Sequence, residues 1–270
     1  MAICLLGIGH SASVIASGCG QYALKQFKHN ARNSFMTEVD ILRMLPAYHK
    51  NKVEVIEVRD NVMEIVMRLY DCDLLFFLQS HYPQGMPIDL ARNFYTQLIN
   101  ALDFLHSNCV YHRDVKLENL LLNGTENIVI SDFGLSIVSH TDISPLHING
   151  TEMYMPPEMW EYIFSKHSVN RFYRREYTLS KADLFSSAIC LYNLLANELA
   201  FLKAHTSDPS YRYFKEDPKQ WWGNNKHDFD DSLKSFLNSA LLHNSGERLS
   251  IEEIRLHDWF VGRIDDTNFT

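Results

Sequence analysis

The 270-residue sequence predicts an α+β chain of two lobes, a small strand-rich lobe over residues 1–69 and a larger helical lobe over 70–270. Two observations carry this. Short apolar runs rich in Val, Ile and Tyr crowd the chain up to Leu69, and helical periodicity dominates from Asp89 onward. A chain of this length buries either one large domain or two lobes of moderate size. Its 46% hydrophobic and 21% charged residues are those of a packed globular protein.

In the small lobe, "AICLLGIG" is an apolar run that stops at glycines, and "SVIAS", "YALKQF", "VEVIEV" and "MEIVMRLY" follow as further strands. Between them, "SFMTEVDILRMLP" spaces Phe35, Val39, Leu42 and Met44 or Leu45 as one helix face, with Ser34 as N-cap and Pro46 as stop. Glu38 and Leu42, four apart, point the same way. The lobes should meet near Arg68 to Asp73. Beyond, "DLARNFYTQLINALDFLHS" repeats Leu90, Phe94, Leu98, Leu102 and Leu105 as an amphipathic helix. "ADLFSSAICLYNLLA" is apolar around most of its circumference and predicts a helix at the centre of the larger lobe. A cleft between two lobes is a place where ligands bind.

Composition narrows the function. A net charge of −8 argues against nucleic acid as the main partner. No apolar stretch approaches the roughly 20 residues of a membrane helix, so no membrane partner is expected. The start "MAICLLGIGHSAS" lacks a basic opening and is broken by Gly7 and Gly9, unlike a signal peptide. The five cysteines (Cys4, Cys19, Cys72, Cys109, Cys190) form no CxxC pair. A reduced, cytoplasmic or nuclear setting follows, and a zinc site does not. The Asn-Gly-Thr triplets at Asn123 and Asn149 then match a glycosylation sequon only by chance.

The stretch "YHRDVKLENLLLNGTENIVISDFG", Tyr111 to Gly134, sets Asp114, Lys116, Asn119 and Asp132 beside runs of Leu, Ile and Val. A buried charge without a partner costs several kcal/mol, on the order of 2–7 even for a neutral polar group, so something must meet these groups. "LLL" and "IVIS" form a hairpin around Asn123-Gly124, which brings Asn119 near Asp132. Two oxygen donors at one end of a rigid hairpin suit Mg²⁺. Taken singly, each could be only a turn former.

"HRDVKLEN", then "DFG", then "PPE" resemble the signature set of eukaryotic-type serine/threonine protein kinases, and the likeness runs from about Leu5 to Phe260. The resemblance implies the bilobal protein-kinase fold, a small β-rich lobe with one regulatory helix and a larger α-helical lobe. It implies ATP and Mg²⁺ as cofactors and protein substrates with Ser or Thr acceptors, acted on by a monomeric enzyme. Carried over residue by residue, Asp114 is the catalytic base, and Asn119 and Asp132 hold Mg²⁺. Lys25 of "YALKQF" binds the α- and β-phosphates and pairs with Glu38. Ala23 touches the adenine, Met67 is the gatekeeper, and Arg68 and Tyr70 offer backbone groups to the adenine edge. Leu121 packs under the ring and Val14 over it. Gly7 and Gly9 let the backbone approach the phosphates, while Ala12 departs from the family's third glycine.

Lys116, two residues after Asp114, resembles the serine/threonine branch, with Thr151 completing its corner. Glu118 stands where many relatives meet a basic residue upstream of the target hydroxyl, or is a solvated loop acid. "PKQWW" and "LLHNSGERLSIEEIRLHDWF" resemble the closing helices of calmodulin-dependent-type kinases. There Arg248 pairs with Glu158, and Trp221 and Trp222 anchor the core. No autoinhibitory or calmodulin-binding tail is expected after Phe260. A pseudokinase would have lost Lys25, Glu38, Asp114, Asn119 or Asp132, and all are present. A small-molecule phosphotransferase of this fold would lack the activation segment and the Glu158–Arg248 pair.

Two expectations concern regulation. The 161–180 region is longer than in most relatives, and Lys166, Arg171, Arg174 and Arg175 gather there, either as a solvated loop or as a docking patch for acidic partners. Arg113 in relatives pairs with a phosphorylated activation segment. The usual acceptor positions hold Leu146 and His147, and the nearest hydroxyls are Ser144, Thr141 and Ser139. The segment is expected to order without phosphate, with Asp142 near Arg113, and the enzyme to be constitutively active. A displaced phosphosite at Ser144 is the alternative.

Overall fold

A computed structural model describes residues 4–145, 150–165 and 176–261. Five antiparallel strands form one sheet: β1 (Cys4–Ile8), β2 (Ala12–Ala16), β3 (Tyr22–Phe27), β4 (Val55–Arg59) and β5 (Glu64–Arg68), in the order β1-β2-β3-β5-β4. Helix α1 (Arg32–Met44) crosses this sheet and buries Phe35, Val39, Ile41 and Leu42. Phe35 meets Phe27 of β3 edge to face at 5.2 Å. The spacing of these apolar residues is the one the sequence gives, so burial of that face is what holds α1 in place.

One detail differs. Ser34 does not cap α1; Ala31 holds the N-cap position, without a side-chain bond. A 3₁₀ turn over His29–Ala31 runs straight into the helix, so Ser34 falls in its first turn. Its hydroxyl donates to the Gly134 carbonyl instead, at 3.3 Å. At the other end Leu45 is extended (ψ 146°), as the residue before Pro46 must be.

The rest is helical. α2 (Leu74–His81) starts on Asp73, whose carboxylate accepts from Phe76 N–H. α3 (Ile88–Ser107) and α5 (Leu179–Ala196) pack together, and α5 is buried around nearly its whole circumference. Between them come the small strands β6 (Val110–Tyr111), β7 (Leu120–Asn123), β8 (Asn127–Ile130), β9 (Ile137–Val138) and β10 (Ile143–Pro145), then α4 (Pro157–Ser165) and β11 (Glu176–Thr178). β7 pairs with β8, β6 with β9, and β10 with β11. Gly124, at φ +74°, turns the β7–β8 hairpin. The basic residues of the long region, Lys166, Arg171, Arg174 and Arg175, lie outside the described residues, as do Leu146 and His147.

α6 (Pro209–Glu216), α7 (Pro218–Gly223), α8 (Asp231–Ala240), α9 (Ile251–Leu256) and α10 (Asp258–Val261) close the chain. Trp221 and Trp222 are buried against each other at 4.7 Å, as core anchors. Arg248, 1% exposed, forms a two-pronged pair with Glu158 of α4 at 2.9 and 2.5 Å. It also donates to the carbonyls of Leu242, His243 and Lys181. A buried guanidinium left without its carboxylate is costly, about 3–5 kcal/mol. Glu158→Gln should therefore lower the melting temperature by on the order of 10 °C, measured by calorimetry.

Candidate active site

Alternation along β3 turns Ala23, Lys25 and Phe27 inward. Lys25 Nζ reaches Glu38 of α1 at 2.8 and 2.6 Å and Asp132 at 2.9 Å. Two carboxylates thus share one ammonium. Glu38 is 2% exposed, whereas the Asp132 side chain is 48% exposed. Burial pulls the Lys25 ammonium down, but Glu38 and Asp132 outweigh it and hold it above its ordinary value. Burial pushes the Glu38 carboxyl up to about 7, against the pull of Lys25 and with help from the Asp132 charge. Burial would raise Asp132 too, yet Lys25 holds it below the usual carboxylate range. The deeper carboxylate bears the cost because less water reaches it.

The second cluster stands on the loop between β6 and β7. Asp114 Oδ1 accepts from the Thr151 N–H and hydroxyl, both at 2.8 Å. Its Oδ2 lies 2.9 Å from Lys116 Nζ, which also donates to Thr151 Oγ1 at 2.7 Å. Asn119 Nδ2 donates to the Asp114 carbonyl at 2.8 Å and to Oδ2 at 3.2 Å. Asn119 is brought beside Asp132 through Ser131, whose N–H and hydroxyl both donate to the Asn119 carbonyl. Asn119 and Asp132 therefore share the end of the β7–β8 hairpin that the sequence predicts.

Asp183 of α5, 1% exposed, accepts the backbone N–H groups of His112 at 2.8 Å and Arg113 at 2.7 Å, and faces His106 Nε2 at 2.9 Å. Burial alone would raise its carboxyl, but His106 and the charges beside it hold it low. The sequence reading gave Asp183 no part in the site. The signal was there: a lone acid inside a helix apolar all round must have partners. Two of the site's non-glycine residues, Arg113 (φ +67°) and Asp132 (φ +65°), adopt the left-handed region that such residues rarely occupy. The bonds from the Arg113 N–H to Asp183 and from Lys25 to Asp132 hold these strained turns. At Gly150 (φ +96°) a Cβ would lie 2.5 Å from the Arg113 carbonyl, so only glycine lets Thr151 reach Asp114.

Around the cleft, Ala23 pairs with Met67 across β3 and β5, and both are buried. Gly7 pairs with Val14 beyond a bulge in β1. Leu121 lies on β7, bridged to Asp73. In the connection after β5, Arg68 N–H donates to Glu54, Leu69 N–H to Gln21 and Asp71 N–H to Leu122. The Tyr70 N–H has no backbone partner among the described residues. Glu118 is half-buried, and its Oε2 is covered without a hydrogen-bond partner among the described residues. Asp142, expected near Arg113, accepts from the N–H and hydroxyl of Ser180 at the start of α5. Burial, with Asp142 beside it, pushes the Tyr111 phenol up to about 12.

This pairing of a strand lysine with a helix glutamate, facing a loop that carries Asp, Lys and Asn, has counterparts. The protein kinase domain family matches residues 3–260, and the chain belongs to that family, with its bilobal fold. It is 31% identical over 95% of its length to CBL-interacting serine/threonine-protein kinase 16 of Arabidopsis thaliana, covering 55% of that protein. It is 33% identical over 83% of its length to CBL-interacting serine/threonine-protein kinase 10 of the same plant, covering 43%. With CBL-interacting protein kinase 5 of Oryza sativa subsp. japonica it shares 33% identity over 83% of its length and 45% of the relative. The chain spans about half the length of the curated relatives it matches.

The Glu38 carboxyl has a pH signature. Its folded value of about 7 lies above the 4.5 of a free carboxyl, so the folded chain keeps a proton that the unfolded chain releases. That contribution to stability is full below about 4.5 and is lost as pH rises through about 7. Compared with Glu38→Gln, the native protein should lose roughly 5 °C of relative melting temperature between pH 5 and pH 8 in metal-free buffer.

Proposed function

We propose that the chain is a serine/threonine protein kinase that transfers the γ-phosphate of ATP to hydroxyls of protein substrates. One observation carries this: Asp114, Lys116 and Thr151 close one corner of the site while Lys25, paired with Glu38, meets Asp132 in the other. The donor set suits Mg²⁺ and nucleotide. Asp132 is half exposed with one oxygen on Lys25, and the Asn119 amide nitrogen is committed to Asp114, which leaves its amide oxygen as the remaining donor. Such oxygen donors, few in number, fit a hard cation that keeps phosphate ligands. Bound Mg²⁺ would spread the negative charge of the phosphates.

The chain's own groups do the rest. Lys25 holds the α- and β-phosphates, and Gly7 and Gly9 admit them under the β1–β2 turn. Ala23, Val14, Met67 and Leu121 wall the adenine, and the Arg68 carbonyl and Tyr70 N–H meet its edge. Asp114 takes the proton of the attacking hydroxyl, and Lys116 neutralises the phosphoryl group in flight. Glu118, half-buried two residues after Lys116, would favour a basic residue near the acceptor. The cleft divides a lobe of residues 1–69 from one of 70–270. With ATP, Mg²⁺ and a Ser/Thr peptide array, Lys25→Met and Asp132→Asn should each lower the rate by about two to three orders of magnitude. Near-native turnover in either variant would overturn the mechanism.

The same reading extends to regulation. β10 pairs with β11 residue by residue, Ile143 with Thr178, Ser144 with Tyr177 and Pro145 with Glu176. Asp142, the residue before β10, is fastened to the first turn of α5 through Ser180. These contacts favour a segment ordered without phosphate, held at the start of α5. Phosphatase treatment should leave activity within about twofold, whereas Asp142→Ala, which loses two charge-assisted bonds, should lower it roughly tenfold. A large loss on phosphatase treatment, copied by Ser144→Ala, would reverse this.

A further inference from the structure

The turn between β1 and β2 is held from outside by a residue the site has not so far used. Lys28 follows β3 and is exposed. Its backbone N–H donates to the Ser11 carbonyl at 2.9 Å. Its Nζ donates to the carbonyls of Gly9 at 3.1 Å and His10 at 2.8 Å. Inside the turn, Gly9 N–H donates to the Ala12 carbonyl at 2.8 Å. Three consecutive carbonyls, Gly9, His10 and Ser11, thus converge on one residue.

Peptide geometry gives this a consequence. In a trans peptide the C=O and the following N–H point in opposite directions, and the described residues hold no cis bond. With those carbonyls turned toward Lys28, the N–H groups of His10, Ser11 and Ala12 face away from it. The His10 and Ser11 N–H groups have no backbone partner among the described residues. Successive free N–H groups on one side of a turn make an anion-binding concavity. Lys28 stands three residues from Lys25 on extended chain, so the two side chains leave opposite faces of the strand. Lys25 meets Glu38 and Asp132, and Lys28 holds the turn from the other face of the strand.

We propose that Lys28 is a positioning residue: it draws the turn's carbonyls outward so that its N–H groups are preset toward the nucleotide phosphates. The inference rests on the kinase reading above. It gives Ala12 a context, since a turn pinned by Lys28 relies less on a third glycine for its shape.

The test compares the native chain with Lys28→Met and Lys28→Arg. In nucleotide-free protein, amide hydrogen exchange over residues 7–12 should speed up at least severalfold in Lys28→Met and stay near native in Lys28→Arg. By calorimetry, Lys28→Met should bind MgATP roughly tenfold more weakly, the loss expected of about two ordinary hydrogen bonds. Adenosine, which has no phosphates, should bind both variants as it binds the native chain, and so reports an intact cleft. Unchanged exchange in Lys28→Met, or equal weakening of adenosine and MgATP, would overturn the role of Lys28. If the native chain bound neither ligand, the kinase reading itself would fall, whatever the exchange experiment gave.

Discussion

The geometry of the site depends on the carboxylate of Asp183 inside α5. A fully buried acid is tolerated only where partners replace water, and here two backbone N–H groups and an imidazole do so. The exchange works in both directions. The helix is buried around nearly its whole circumference, and it gives His112 and Arg113 a fixed support. They in turn fix where Asp114 begins. His112 extends the link by reaching the Ser131 carbonyl, one residue before Asp132. Both acids of the site are thus referred to a single fixed point in the core.

Charge is distributed around that frame so that no group can relax alone. Lys25 divides itself between Glu38, on a helix of the small lobe, and Asp132, which follows the hairpin of the larger part. Ser34 adds a second tie between the same helix and Gly134. A shift of α1 therefore breaks the ammonium's balance and the hydroxyl's bond together. The low polarity of the cleft makes each lost partner expensive, which favours one arrangement of the helix over a spread of them.

Much of this was legible in the residues. Period-two and period-3.6 patterns set out the sheet, α1, α3 and α5, because those patterns record which side faces the core. The hairpin of β7 and β8 followed from Asn123-Gly124, and with it the meeting of Asn119 and Asp132. Ser34 was misread because a local cap and a bond to a residue a hundred positions away look alike in sequence. The bond of Asp142 to Ser180 was hidden for the same reason: the two become neighbours only once β10 lies along β11. Lys28 carried no signal at all, since a lysine after a strand is most often only solvated.

The pairing of β10 with β11 joins two parts of the chain that are separate in sequence. β11 is the exit from the basic stretch at 166–175, and β10 belongs to the segment between Asp132 and Thr151. Three backbone pairs make the two strands one mechanical unit. A displacement of β11 is therefore passed to β10 as shear, and from there to the Asp142 carboxylate at the start of α5. Residues 176–178 are in this sense not independent of 143–145, because whatever moves one strand bends the path of the segment beside the active site.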